Sequence, residues 1–220
     1  MSTIAGNSTS SQLFARFCLV SAACVPIIYF ATQLAAAPFY PGYSFSHQLA
    51  SELGMGLSRQ PWIFNTGIFV TGLALIVAAF GLFQSFRMIT HLRLSLLIAA
   101  AVAYSGFCAT KAGVFPLPDP HHGTKLGLTA PLLMPLLMLI ATWGKDHLRG
   151  LQWYLSFSVL LLVPVALILE RILSIAWLPI GTIQRLLALG TYVPVGVVGA
   201  YFLLRGRRPE DESFGGVTVA

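Results

Sequence analysis

Long apolar runs separated by short polar breaks dominate the chain. A bilayer core about 30 Å thick needs roughly 20 apolar helical residues at about 1.5 Å each. Runs near 13–36, 61–86, 94–115, 126–144, 151–171 and 184–204 meet that length. The stretches 60–86, 126–144, 150–169 and 186–204 contain no Asp, Glu, Lys or Arg at all. The runs are continuously apolar and lack the alternation of barrel strands, which excludes a β-barrel. The breaks at 87–93 and 145–150 are short and force antiparallel neighbours. The pattern therefore predicts an all-α polytopic membrane bundle of six transmembrane helices over 13–204. Residues 1–12, rich in Ser and Thr, and the polar tail 205–220 are expected to be unstructured. Arg16, the apolar Phe17–Ala31 and the small residues Ala35, Ala36 and Ala37 resemble a secretory leader, but the run exceeds an ordinary leader core and is read as the first span.

Composition agrees with the pattern. Of 220 residues, 56% are apolar and 9% charged, against about 25% charged in soluble domains, so a soluble enzyme is excluded. The formal charge of +6 does not indicate nucleic-acid binding, because the basic residues stand singly among apolar runs. Sorted by predicted side, eight (Arg16, Arg87, Arg93, Lys145, Arg149, Arg205, Arg207 and Arg208) fall on one face of the membrane and five (Arg59, Lys111, Lys125, Arg171 and Arg185) on the other. The positive-inside rule then puts both termini in the cytoplasm, as expected for the inner cell membrane. Cys18, Cys24 and Cys108 lie within predicted spans and offer neither a disulfide framework nor a ligand spacing.

Ionisable groups near a bilayer are costly unless paired, so their placement is the best guide to function. The predicted outer loops carry His47, Glu52, Arg59, Lys111, Asp119, His121, His122, Lys125, Glu170, Arg171 and Arg185. As a helix, residues 43–54 would align His47 with Ser51 and Gln48 with Glu52 at i, i+4, ended by Gly54 and Gly56. Asn65 would sit about one turn inside the second span, bonded to another helix. The proline-rich segment 111–125 presents Asp119, His121 and His122 together. Zinc sites need three or four ligands, and the cluster lacks a His-x-x-x-His spacing, so no resident metal or cofactor is expected; His47, Asp119, His121 and His122 would be the ligands if one bound. Glu170 or Glu52 is expected to pair with Arg171, Arg185 or Lys111. The apolar stretch Ile172–Ile183 is too short to span and is read as an interfacial lid or re-entrant segment. Ser95, Ala99 and Ala103 form a small-residue ridge for helix contact.

Ser51-Glu52-Leu53-Gly54 with Pro61-Trp62-Ile63-Phe64-Asn65, then Phe115-Pro116 with Asp119 and His122, then Gly181-Thr182-Ile183-Gln184-Arg185, resemble the six-span prokaryotic membrane family catalogued as domain of unknown function nine hundred and ninety-eight. The first loop also bears a remote likeness to the DRAM and Sfk-type membrane family, which implies membrane-lipid handling. Three functions fit the residues. The first is an outward-facing polar site that binds, and in a stronger version moves, a lipid headgroup or small anionic solute. Arg185 and Arg171 would then contact the anion, while Glu52, Asp119, His122 and Asn65 shape the site or exchange protons. The second is an intramembrane hydrolase with His122 or Glu52 as base and Asp119 as orienter. The third is a non-catalytic subunit or assembly factor. Membrane lipid is the expected partner.

Overall fold

A computed structural model describes residues 4–122, 129–169 and 177–205. Six α-helices follow in order: α1 Ile4–Ala36, α2 Pro61–Arg87, α3 Leu92–Val114, α4 Thr129–Thr142, α5 Arg149–Leu169 and α6 Ile180–Arg205. Each packs on its chain neighbours, and α6 returns to pack on α1, so the helices close into a ring; α6 also touches α2 and α4. Facing residues give the directions. A Cβ on Gly67 would meet Thr32, while one on Gly81 would meet Cys18, so α1 and α2 run antiparallel; Gly196 against Pro26 and Gly199 against Ala22 show the same for α1 and α6.

Five helices are long and apolar enough to cross a membrane, and α4 is a shorter apolar helix. The chain is thus a multi-pass membrane protein. The 14 residues of α4 rise only about 21 Å at helical pitch, short of a bilayer core. The start of the expected fourth span, along with Lys125, lies outside the described residues, as do Glu170, Arg171 and the tail from 206. The N-terminal expectation is corrected in part: α1 begins at Ile4 rather than near residue 13. Once an apolar helix has nucleated, polar Ser and Thr residues can be added to its end at small cost per residue.

Local chemistry sets the helix ends. Pro61 starts α2, where its missing N–H costs nothing. The His91 Nδ1 accepts from the Leu94 N–H at 3.2 Å to cap α3. Gly144, at φ 72°, closes α4 in the left-handed region. Buried Leu75, Leu82, Phe86, Ile98, Met134, Met138 and Leu155 form the main core, and a second cluster of Tyr29, Tyr40, Leu53, Phe64 and Ile68 fills the end where α1 gives way to α2. Ser95 is buried and Ala99 and Ala103 pack against the core, and a close α2–α3 approach lies at Gly72 and Gly106. A Cβ on Gly72 would meet the Thr110 side chain and backbone, with the Gly106 carbonyl oxygen at 2.6 Å. Cys18 is fully buried and packs as a small apolar residue.

Candidate functional site

The segment between α1 and α2 is not the α-helix its spacing suggests. Residues 44–48 form a turn, and Ala50–Gly54 is a 3₁₀ helix. Side chains compete with helical bonding here. The Ser44 N–H donates to Gln48 Oε1 at 2.8 Å, and the His47 N–H donates to Ser44 Oγ at 3.4 Å. The Gln48–Glu52 half of the expected stripe survives, with Gln48 Nε2 donating to Glu52 at 3.2 Å. The His47–Ser51 half does not, since His47 is exposed and Ser51 is buried.

Glu52 accepts the Leu49 N–H at 2.8 Å and so caps the 3₁₀ helix with its own side chain. Among the described residues it makes no ion pair; the two pairs seen there are His121–Asp119 and Arg149–Asp146. The expected Glu52–Arg185 pairing is therefore replaced by backbone capping of the carboxylate. Asn65 donates to the Gly54 carbonyl at 3.1 Å, holding the end of the 3₁₀ helix to α2 rather than bonding another spanning helix.

Arg185 docks this loop onto the start of α6. Its Nη1 donates to the carbonyls of Gln48 at 3.1 Å and Gly181 at 2.9 Å, and its Nη2 donates to the Tyr43 hydroxyl at 2.6 Å. The guanidinium also lies over the rings of Phe45 and Tyr43, at 5.1 and 5.9 Å. The Tyr43 hydroxyl in turn donates to the Leu49 carbonyl at 3.1 Å. Burial raises the Tyr43 pKa, with Arg185 opposing, so the phenol is neutral at physiological pH. The rest of the joint is backbone: the Thr182 N–H donates to the Ser46 carbonyl at 2.9 Å, and the Ala50 N–H donates to Gln184 Oε1 at 2.6 Å. Gly181 is required, because a Cβ there would run into the Gln48 carbonyl and approach those of Phe45 and Ser46 to 2.7 Å. The stretch read as a lid thus has its last four residues, Ile180–Ile183, in the first turn of α6; Ile172–Ala176 lie outside the described residues.

Behind the docked loop is a cavity of about 170 Å³ reaching between α1, α2, α3, α4 and α6. Ser51, Ser105, Cys108, His122, Gln184 and the hydroxyl-bearing rings of Tyr29 and Tyr192 line it, with Phe64 and Ile68 as apolar wall. Among the described residues its lining has no carboxylate. His122 Nδ1 lies 2.8 Å from the Phe115 carbonyl oxygen. A carbonyl can only accept, so neutral His122 carries its proton on Nδ1 and leaves Nε2 as an acceptor. Ser105 Oγ is spent on the Ala101 carbonyl at 2.9 Å. Gln184 uses its oxygen on Ala50, which leaves its NH₂ as a donor.

His122 is the one sequence-predicted site residue on this lining. Glu52, Asn65 and Arg185 sit in its supporting wall. Asp119 turns the other way: its carboxylate accepts from the His121 N–H at 2.7 Å and lies 2.9 Å from His121 Nδ1 in an exposed turn. Those two bonds from His121 hold the Asp119 carboxyl below its ordinary pKa. Among the described residues no three of His, Cys, Asp and Glu converge as a metal site. Ser51, Gln184, Tyr29 and Tyr192 are the lining residues that sequence reasoning missed. The signal lay in Ser51-Glu52 and Gln184-Arg185, where the charged member drew attention and its neighbour faces the cavity.

Residues 22–201 match the model of a family described as protein of unknown function, DUF998. No curated protein and no solved structure matches the chain.

Proposed function

The chain belongs to the DUF998 family, and from that premise and the cavity we propose that it binds a lipid headgroup or small anionic solute on the outer side of the inner cell membrane. The observation that carries this reading is the cavity behind the docked loop, polar at Ser51, His122 and Gln184 and free of carboxylates among the described residues. Gln184 follows the first turn of α6 and stands next to the positive charge of Arg185. An anion there meets a donor on Gln184, and the Glu52 carboxylate of the supporting wall is turned to the Leu49 N–H and the Gln48 amide. In this account Ser51 and Gln184 contact the ligand and His122 exchanges or accepts a proton. Arg185, Glu52 and Asn65 position the loop that carries Ser51.

The inner-membrane, both-termini-inside, six-span arrangement rests on the eight-to-five division of basic residues. In it the apolar run 126–144, of which α4 is the described part, makes the sixth crossing. The cavity volume is below the roughly 300–1,000 Å³ of sites for drug-sized ligands, which favours a headgroup or small solute over a whole lipid.

The test is thermal unfolding of the purified protein with dihexanoyl phosphatidylglycerol and, separately, with sn-glycerol 3-phosphate. Occupancy at about 100 times Kd stabilises by about 2.7 kcal/mol. Ser51→Leu, which fills the cavity, and Gln184→Leu are expected to remove the response while retaining the fold. An undiminished response in both variants would refute the reading.

A further inference from the structure

At the opposite end of the bundle α1, α2 and α6 leave a groove of about 670 Å³ that the outer cavity does not involve. Its lining is layered. Leu19 and Phe80 lie toward the bundle centre, and Gln12, Arg16, Gln84 and Ser85 lie toward the helix ends. The Cys18–Gly81 contact sets the register. Two residues further out, Arg16 comes level with the turn that carries Gln84.

The polar side chains retain hydrogen-bonding capacity for a ligand. Arg16 and Gln84 are exposed, and no carboxylate lies on the groove among the described residues. Ser85 Oγ donates to the Gly81 carbonyl at 2.9 Å, so it offers only acceptor capacity. The donors are Arg16, Gln12 and Gln84. The groove also has an apolar wall that opens outward, with Phe14 52% exposed near the helix end and Phe80 42% exposed toward the bundle centre, their rings 5.2 Å apart. In a membrane-spanning chain that face meets acyl chains. An exposed guanidinium beside an apolar slot is complementary to a phosphate carrying a hydrocarbon tail, because arginine recognises phosphate through a planar fork.

We infer that this groove is a binding site for an anionic diacyl phospholipid of the surrounding membrane, with the phosphate on Arg16, the headgroup hydroxyls on Gln12 and Gln84, and one acyl chain against Phe14 and Phe80. Arg87, on the same end, supplies an internal control. It is exposed, stacks over Phe83 at 5.7 Å and is absent from the groove.

The experiment is native mass spectrometry of the full chain released from detergent with added palmitoyl-oleoyl phosphatidylglycerol or, in parallel, phosphatidylcholine of the same chains. Wild type is expected to retain one phosphatidylglycerol in preference to phosphatidylcholine. One arginine at a membrane surface contributes roughly a fivefold affinity difference for anionic lipid, so Arg16→Gln should cut the preference by about that factor while Arg87→Gln leaves it intact. Phe80→Ala should weaken both lipids alike. Melting temperatures of the lipid-free variants establish that each is folded. Equal retention of the two lipids by wild type, or equal losses in Arg16→Gln and Arg87→Gln, would overturn the inference, the latter by showing a diffuse effect of the basic end. Ser51→Leu, which tests the outer cavity, should leave this preference unchanged.

Discussion

Replacing Arg185 with methionine separates a clasp from a ligand contact. Methionine keeps most of the length and apolar contact of arginine and removes the charge. The bonds lost between α6 and the loop are those to the Gln48 carbonyl at 3.1 Å and the Tyr43 hydroxyl at 2.6 Å. Hydrogen bonds to charged groups contribute about 1.5–3 kcal/mol each, and solvent screening at this half-buried side chain brings the pair toward the lower end. Loss of the two ring contacts adds roughly 0.5–1 kcal/mol. A total of about 3–4 kcal/mol, at about 2–4 °C per kcal/mol for a chain of this size, lowers the melting temperature by on the order of 10 °C. Arg185→Lys keeps charge without the fork and should recover only part of that loss. The loop should also become open to limited proteolysis near Phe45. The reasoning is refuted if Arg185→Met melts like wild type with a protected loop yet no longer responds to sn-glycerol 3-phosphate, because arginine would then be touching the ligand and not the loop.

Two further outcomes follow from the packing and the Asp119–His121 turn. Gly72→Val places a side chain against Thr110 and the Gly106 carbonyl, where backbone leaves no room. Overpacking typically costs about 1–3 kcal/mol, and two of the atoms met are backbone that cannot swing aside; Gly72→Val should therefore melt well below wild type while Val70→Ala, on an exposed position, does not. For Asp119, the folded pKa lies below the ordinary carboxylate value because the carboxylate accepts from His121. Its contribution to the turn is therefore complete above the unfolded carboxylate pKa and is lost as pH falls through the folded one. Amide exchange at His121 should stay slow down to the ordinary carboxylate range and quicken below it, and Asp119→Asn should exchange fast throughout.

The membrane bundle was legible because helix length and continuous apolarity answer to the bilayer alone. Helix ends were less so. The α1 boundary depends on propagation into Ser and Thr, which composition reads as loop, and the α6 boundary depends on the backbone of residues 45–48 receiving Gly181. Residues 43–54 carry helical spacing, yet Ser44 and Gln48 side chains bond the local backbone and break the helix. Glu52, Asn65 and Arg185 do gather at the segment between α1 and α2, but with partners other than those expected. Glu52, Asn65 and Arg185 satisfy backbone groups, a role that leaves no pattern in sequence because carbonyls and amides are present at every position. The cavity residues were hidden for a related reason: Ser51, Tyr29 and Tyr192 are ordinary in type, and only the ring of helices brings them together. The Gly72–Gly106 contact was available as small residues on two neighbouring spans, but the Ser95 ridge carries the same signature.

The central claim is that the cavity behind the docked loop holds an anionic headgroup or solute. Equilibrium dialysis of radiolabelled sn-glycerol 3-phosphate against wild type, Ser51→Leu and Arg185→Met measures this directly. Saturable binding near one per chain in wild type, abolished by Ser51→Leu and weakened by Arg185→Met, is the predicted result. Binding that persists at wild-type affinity when Ser51→Leu fills the cavity would contradict it.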